Sequence, residues 1–263
     1  HQLVLDLSNP AVCEYLIDAV SKVLVPGNIS YVKWDMNRHL TDLGSAYLDR
    51  KNQNELSHRY VLGLYQVMET LTERFPQVLF ESCSSGGGRF DAGMLYYMPQ
   101  TWTSDNTDAV CRLKIQHGTS FLFPTVTMGA HVSACPNHQV GRTTPLATRF
   151  AVAAAGNLGY ELDLKKLSKE EKEEVREQIA EYKRRRRTVQ FGTYYRLADS
   201  FQENQSAWNI VSEDGMDVIF THVQILARSA YRVPVIRLKG LDPDAVYTDC
   251  ETGQEYGGDE LMY

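Results

Sequence analysis

Short apolar runs of strand character alternate with amphipathic helical stretches over residues 3–163, and this alternation limits the possible folds more than any other feature. The runs fall at residues 3–7, 29–34, 78–80, 101–103, 121–126 and 158–163. After the first, Asn9 and Pro10 supply the cap and first-turn chemistry of a helix. Its Val12, Leu16, Ala19 and Val23 share a face until Pro26-Gly27. A second helical stretch aligns Tyr60, Leu64, Met68 and Leu71 and stops at Phe75-Pro76. Strands joined by helices pair in parallel through right-handed crossovers, which brings every strand's carboxyl end to one side. The expected fold is therefore α/β, a (β/α)8 barrel left incomplete, because about six strands are visible where closure takes roughly eight. The remaining strands are expected before His1, since the chain lacks an initiating Met and His1-Gln2-Leu3 reads as the interior of a longer chain.

Residues 168–187 read as one long charged helix. Ser168 and Glu171 have capping-box spacing, acids crowd its start, and Lys183 to Arg187 crowd its end, matching the helix dipole at both termini. Val175, Ile179 and Tyr182 form its buried stripe. After Gly192 the pattern changes. Short apolar runs at 207–211, 217–223 and 235–238, separated by Glu213-Asp214-Gly215 and Asp242-Pro243-Asp244, predict an antiparallel all-β module. The expected organisation is a barrel portion over residues 1–189 and a C-terminal antiparallel β-sandwich domain over 190–263.

Composition excludes several classes of function. A net charge of -6 argues against general affinity for nucleic acid or anionic membranes, and the basic run at 183–187 is explained by its helix. No apolar run of about eighteen residues exists to span a bilayer. Five cysteines, Cys13, Cys83, Cys111, Cys135 and Cys250, are scattered without a CxxC pair, which suits reduced thiols in a cytoplasm. His131, Cys135 and His138 follow an H-x3-C-x2-H spacing that matches no common closed zinc site and lacks an evident fourth ligand, so no metal is expected there.

Two acids stand out where strands end. Asp35 closes Tyr31-Val32-Lys33-Trp34-Asp35-Met36-Asn37, and Asp105 follows Trp102-Thr103-Ser104. A lone Asp after a strand is ordinarily a helix cap. Two of them at one rim supply what glycosidic cleavage requires, a charged carboxylate for the anomeric carbon and a protonated one for the leaving oxygen. Lys33 precedes Asp35 by two residues, so on a strand both point the same way and the ammonium favours ionised Asp35. Asp105 has no cation beside it in sequence, and Trp102 reduces its hydration, which suits the proton-holding role. The run Ser84-Ser85-Gly86-Gly87-Gly88 has neither the Walker lysine nor the G-x-G-x-x-G pattern. It remains either a tight turn or a pocket wall whose backbone approaches a ligand. Trp34 and Trp102 are open to two readings, core residues or aromatic faces for a sugar ring.

The blocks YVKWDMNR, FESCSSGGGRFD, WTSDNTDA, MGAHVS and GNLGYELDL, in that order, resemble the α-galactosidases of glycoside hydrolase family 36. The resemblance continues through YRL and AWNIVS and covers nearly the whole chain. It implies retaining hydrolysis of terminal α-D-galactosides of the melibiose and raffinose type, with Asp35 as nucleophile and Asp105 as general acid/base. It further implies that Lys33, Asn37, Cys83 and Gly86 contact the galactose while Trp34 and Trp102 line the pocket. Neither cofactor nor metal is implied, the partner is a small oligosaccharide with a terminal α-galactose, and a homo-oligomer is compatible. Two departures qualify it. Family members carry an N-terminal β-sandwich and first barrel strands with paired aspartates and a tryptophan that are absent here. Cys83-Ser84-Ser85-Gly86 also stands where many members have Cys-Ser-Gly-Gly. The segment alone is accordingly expected to be inactive. Alternatives within the chemistry are galactosyl transfer of the raffinose-synthase type and α-N-acetylgalactosaminidase action; outside it stands a non-catalytic carbohydrate-binding fragment.

Overall fold

The computed structural model describes residues 3–41, 43–83, 89–226, 229–230 and 233–263. The architecture is α/β, an incomplete (β/α)8 barrel followed by antiparallel sheets. It divides into two compact units, His1–Asp105 and Asn106–Tyr263.

In the first unit, α1 (Pro10–Leu24), β1 (Tyr31–Asp35), α2 (Leu56–Arg74), β2 (Leu79–Cys83), α3 (Ala92–Tyr97) and β3 (Gln100–Trp102) follow in order, and β1, β2 and β3 pair in parallel. Asn9 caps α1 by accepting from the Ala11 amide at 3.0 Å, with Pro10 in the first turn. The buried face of α1 is Cys13, Ile17 and Leu24, with Val12, Leu16 and Val20 at its edge; Val23 is exposed, so the expected stripe is rotated. Tyr60, Leu64, Met68 and Leu71 of α2 are buried as expected, joined by Val67. Each such aliphatic side chain contributes roughly 1.5–3 kcal/mol by leaving water. Where α1 and α2 meet, a Cβ on Gly63 would lie 1.9 Å from the Leu7 carbonyl oxygen, so only glycine permits the approach.

Residues 3–7 do not form the expected strand. Asp6 turns back instead, accepting from the Ser8 amide at 3.0 Å and from the hydroxyls of Ser8 and Ser45. Burial still raises the cost of its charge, but these bonds win and hold its pKa below the usual carboxylate value.

In the second unit, α4 (Ala109–Thr119), β4 (Met128–Ser133), α5 (Leu146–Ala153), β5 (Asn157–Glu161) and α6 (Lys169–Phe191) complete the α/β part, with β4 and β5 parallel. The strand expected at 121–126 begins only at Met128. Phe121 and Leu122 are exposed, and Pro124 leads into a 3-10 turn over Thr125–Thr127. Helix α6 has the full capping box between Ser168 and Glu171, and Val175 and Tyr182 are buried with Ile179 beside them. It continues to Phe191, so the basic run is not its last turn and gains little from the dipole. Arg185 instead pairs with Glu181 at 2.7 Å, and Arg187 with Glu213 at 2.9 Å.

The antiparallel part holds β6 (Thr193–Ala198), β7 (Gln205–Val211) and β8 (Val218–Gln224) in one sheet, and β9 (Val246–Thr248) paired with β10 (Glu255–Gly257) before the short α7 (Gly258–Met262). Residues 235–238, expected as a strand, form none. Their neighbour Lys239 is held by Asn209, whose buried amide donates to its carbonyl at 2.9 Å and accepts from its N–H at 3.1 Å. The core of this unit runs from Leu113 and Phe150 through Val175 and Tyr182 to Trp208, Ile210 and Val223. No helix among the described residues is long and apolar enough to cross a membrane.

Candidate active site

The register of the first three strands builds the site in rows. Lys33, Glu81 and Gln100 are partners across β1, β2 and β3, and two residues on, Asp35, Cys83 and Trp102 are partners in the next row. Side chains two apart on a strand share a face, so both rows project the same way, the second at the strands' carboxyl ends. Along β1, Tyr31, Lys33 and Asp35 are exposed, whereas Val32 and Trp34 turn to the other face and join the first unit's core.

The second row carries the acids' immediate partners. Asn37 donates to Asp35 Oδ2 at 2.8 Å, and the Trp102 indole N–H donates to Asp105 Oδ1 at 3.1 Å. Trp102 is itself buried, yet the Lys33 ammonium sits 4.4 Å from its ring centroid. One indole therefore meets a cation on its face and a carboxylate at its edge, and it links the residue beside Asp35 to Asp105. Strands β1 and β3 are two spacings apart, about 10 Å, a gap that side chains from both sides narrow.

Beneath them the first row is knit together by polar contacts. Glu81 is 2% exposed; its Oε2 accepts from Gln100 at 2.8 Å, and its Oε1 faces Lys33 Nζ at 3.8 Å. Gln100 also donates to the Tyr31 hydroxyl at 3.1 Å. Burial pushes the Glu81 carboxyl above its usual range, and the Gln100 bond opposes that only in part. At the strand ends, the buried Arg89 guanidinium donates to the carbonyls of Trp34 at 2.8 Å and Cys83 at 3.0 Å, pinning β1 to β2.

Of the residues expected at the site, Lys33, Asp35, Asn37, Cys83, Trp102 and Asp105 all fall in this unit's two rows or directly after them. A cavity of about 410 Å³ takes in Trp34, Asp35, Asn37 and Arg89, but not Lys33, Cys83 or Trp102. Gly86 lies outside the described residues. Glu81 and Gln100 were missed because the strand was read only to Phe80; a charged residue two positions before Cys83 in a strand was the available signal. In the second unit, His131 of the zinc-like spacing faces Glu161 at 3.3 Å, and no group of three or more His, Cys, Asp or Glu side chains that could hold a metal exists among the described residues.

Comparison with known proteins gives this arrangement a family. The melibiase family model matches residues 1–192, and the model of the glycosyl hydrolase family 36 C-terminal domain matches residues 205–263. The chain is 57% identical over its full 263 residues to α-galactosidase AgaA of Geobacillus stearothermophilus, and 48% identical over 263 residues to α-galactosidase Mel36A of Lactobacillus acidophilus. It covers 36% of the length of each, so it spans about a third of these relatives. A crystal structure of a variant of AgaA in complex with raffinose superposes on the whole chain with a TM-score of 0.97 at 56% identity, the chain covering 36% of it. The chain belongs to the melibiase family, with a glycosyl hydrolase family 36 C-terminal domain after the barrel portion.

Proposed function

We propose that the whole protein carrying this chain is a retaining α-galactosidase, hydrolysing terminal α-D-galactosides of small oligosaccharides through a covalent galactosyl intermediate on Asp35. The observation that carries the reading is the Trp102 indole, in the same row as Asp35, which holds the Asp105 carboxylate at its edge and the Lys33 ammonium over its face. The relatives named α-galactosidase and the raffinose complex of AgaA support the substrate class.

In the first step Asp35 attacks the anomeric carbon while the glycosidic C–O bond breaks, and the proton of Asp105 passes to the departing oxygen. In the second, Asp105 takes a proton from water, whose oxygen attacks the same carbon and displaces Asp35. Galactose leaves with its original configuration, and both acids return to their starting states. Such double displacement requires carboxyl groups about 5–5.5 Å apart. Lys33 and Asn37 flank Asp35 and contact sugar hydroxyls; Cys83 and Gly86 form the neighbouring wall, and Trp102 lines the pocket, whereas Trp34, expected beside it, turns to the opposite face of β1 and packs on the first unit's core. The reaction needs no cofactor from the protein's side. We also place the domain boundary near Gln190, supported by the end of α6 at Phe191 and the start of antiparallel pairing at Thr193, and the protein in the cytoplasm, supported by its scattered cysteines.

The test is the anomer first released from an aryl α-galactoside by the whole protein, followed by proton NMR. α-Galactose is expected. β-Galactose as first product overturns the covalent intermediate, and preference for an aryl α-N-acetylgalactosaminide, or transfer to an added sugar outrunning hydrolysis, overturns the substrate or reaction class.

A further inference from the structure

Glu81 is a buried carboxylate in the first unit that the mechanism leaves unused. It lies in the middle of a five-residue strand with Phe80, Ser82 and Cys83 buried around it, an expensive place for a carboxylate. A structural carboxylate in such a position ordinarily saturates its oxygens with backbone or side-chain donors. Glu81 does so with one oxygen only. Oε2 takes the Gln100 amide, while the buried Oε1 has no hydrogen-bond donor and points at the Lys33 ammonium 3.8 Å away. Lys33 is itself 39% exposed, so the pair has a buried end and an open end. The register sets the two side by side: Lys33 and Glu81 are direct partners across β1 and β2, with Gln100 next in line on β3.

We infer that Glu81 is a positioning residue for the galactosidase reaction, the buried counter-charge that holds the Lys33 ammonium over Trp102 and level with Asp35. The inference rests on the reading of Asp35 and Asp105 above. A lysine has four rotatable side-chain bonds, and without a fixed partner its charge would sample a wide volume at the mouth. Its most attractive alternative partner is Asp35, two residues away on the same face. Glu81 balances that pull from below, so the ammonium stays available to a sugar hydroxyl and Asp35 stays available for attack. Among the described residues, Asp35 is faced by Lys33 and Asn37 from its own strand and loop and by Cys83 and Arg89 from across, and Glu81 by Lys33, Gln100 and, through Gln100, Tyr31. Removing the Glu81 charge leaves Lys33 acting on Asp35 alone. The acid limb of kcat/KM, which reports ionisation of the nucleophile, then moves to lower pH.

The experiment is a double-mutant cycle in the whole protein with an aryl α-galactoside. Glu81→Gln keeps volume and should lower kcat/KM roughly ten-fold, whereas on a Lys33→Met background the same change should have little effect, the non-additivity of two groups acting as one. Its Tm should not fall, since a buried carboxylate has been replaced by a neutral amide. Glu81→Asp should restore part of the activity and return the acid limb toward the wild-type position. Equal losses on both backgrounds, or an unchanged acid limb, would show a merely structural role and overturn the inference; so would wild-type kcat/KM in Glu81→Gln. Should Glu81→Gln fail to fold, Gln100→Met releases the other side of the carboxylate and is read through the same cycle. Wild-type turnover with a dead Asp35→Asn control keeps the two readings separate: loss of that pattern sinks the galactosidase assignment, whereas its persistence beside an additive cycle sinks only Glu81.

Discussion

The two units bury cations in different ways. In the second, Arg149 is 7% exposed and gives its donors to backbone carbonyls, Ser133 at 2.7 Å and Thr144 at 3.1 Å; Arg112, 2% exposed, donates to the Gly129 carbonyl at 3.2 Å. In the first, Arg89 does the same for the carbonyls of Trp34 and Cys83, but Lys33 is held by a side-chain carboxylate and an aromatic face and keeps an exposed head. A guanidinium spent on backbone fixes where strands and turns run. A charge held by side chains, with one direction left open, is available to a ligand. The second unit also holds such a charge, Arg142 on the buried Asp108 at 3.1 Å; what sets the first apart is that both proposed catalytic acids lie beside its held cation.

The largest effect that can break the contrast is at Asp35. In the whole protein, Asp35→Ala should lower kcat by on the order of 10⁴-fold or more, the scale of losing a nucleophile. Added azide should recover part of the turnover as a glycosyl azide of inverted configuration, detected by NMR. Turnover near wild type would remove Asp35 from the chemistry and the first unit from its assigned role. Next comes Asp105→Ala, expected to cost about 10²–10⁴-fold on substrates with poor leaving groups, and far less on activated aryl galactosides that need little protonation. Equal losses on both would make Trp102–Asp105 a structural contact and blur the distinction between units.

How much of this was legible in the sequence follows the same division. Asp35 and Asp105 could be singled out as candidates because each follows a strand within polar and aromatic sequence, and the α2 stripe and the Ser168–Glu171 box could be read because periodicity and spacing are local properties. Glu81 could not, because a charge was taken to end the strand that it actually continues; three residues of extra length, Glu81 to Cys83, turn it from loop to a place opposite Lys33. Residues 3–7 failed for the opposite reason, an apolar pattern overruled by the hydrogen bonds of Asp6 with Ser8 and Ser45. The stripe of α1 was rotated because Cys13, unremarkable in sequence, bonds the Leu7 and Gly63 carbonyls at 3.3 Å and 3.7 Å, and Val23 was left in solvent. Partners distant in sequence, Lys33 for Glu81, Ser45 for Asp6 and Gly63 for Cys13, took part in each of these, and no short window contains them.

A stability measurement tests the other half of the contrast. Arg149→Met removes two donors from buried carbonyls without touching either acid. It should destabilise the whole protein by about 2–3 kcal/mol in denaturant melts, while the turnover of folded molecules stays within about two-fold. A catalytic defect with intact stability would show that the second unit is more than scaffold.

The smallest expected effect is a pH dependence at His117, the second unit's buried imidazole. It is 6% exposed, packs edge-on against Phe121 at 5.2 Å and Phe201 at 6.1 Å between ring centroids, and has Asp199 at 3.6 Å. Burial lowers its pKa from the ordinary 6.5; Asp199 pulls the other way, and Arg196 adds to the lowering. Because the folded value lies below the unfolded one, the unfolded chain binds the extra proton first. Stability is therefore complete above pH 6.5 and is lost as pH falls from there toward the folded value, by at most about 1.4 kcal/mol per pH unit for one proton. His117→Phe keeps the ring packing and cannot titrate, so its Tm should fall less steeply than the wild type's just below pH 6.5. Parallel curves would mean that the imidazole titrates alike in the folded and unfolded chain; a wild-type Tm that falls less steeply than the variant's would mean that Asp199 holds the imidazole charged in the folded protein.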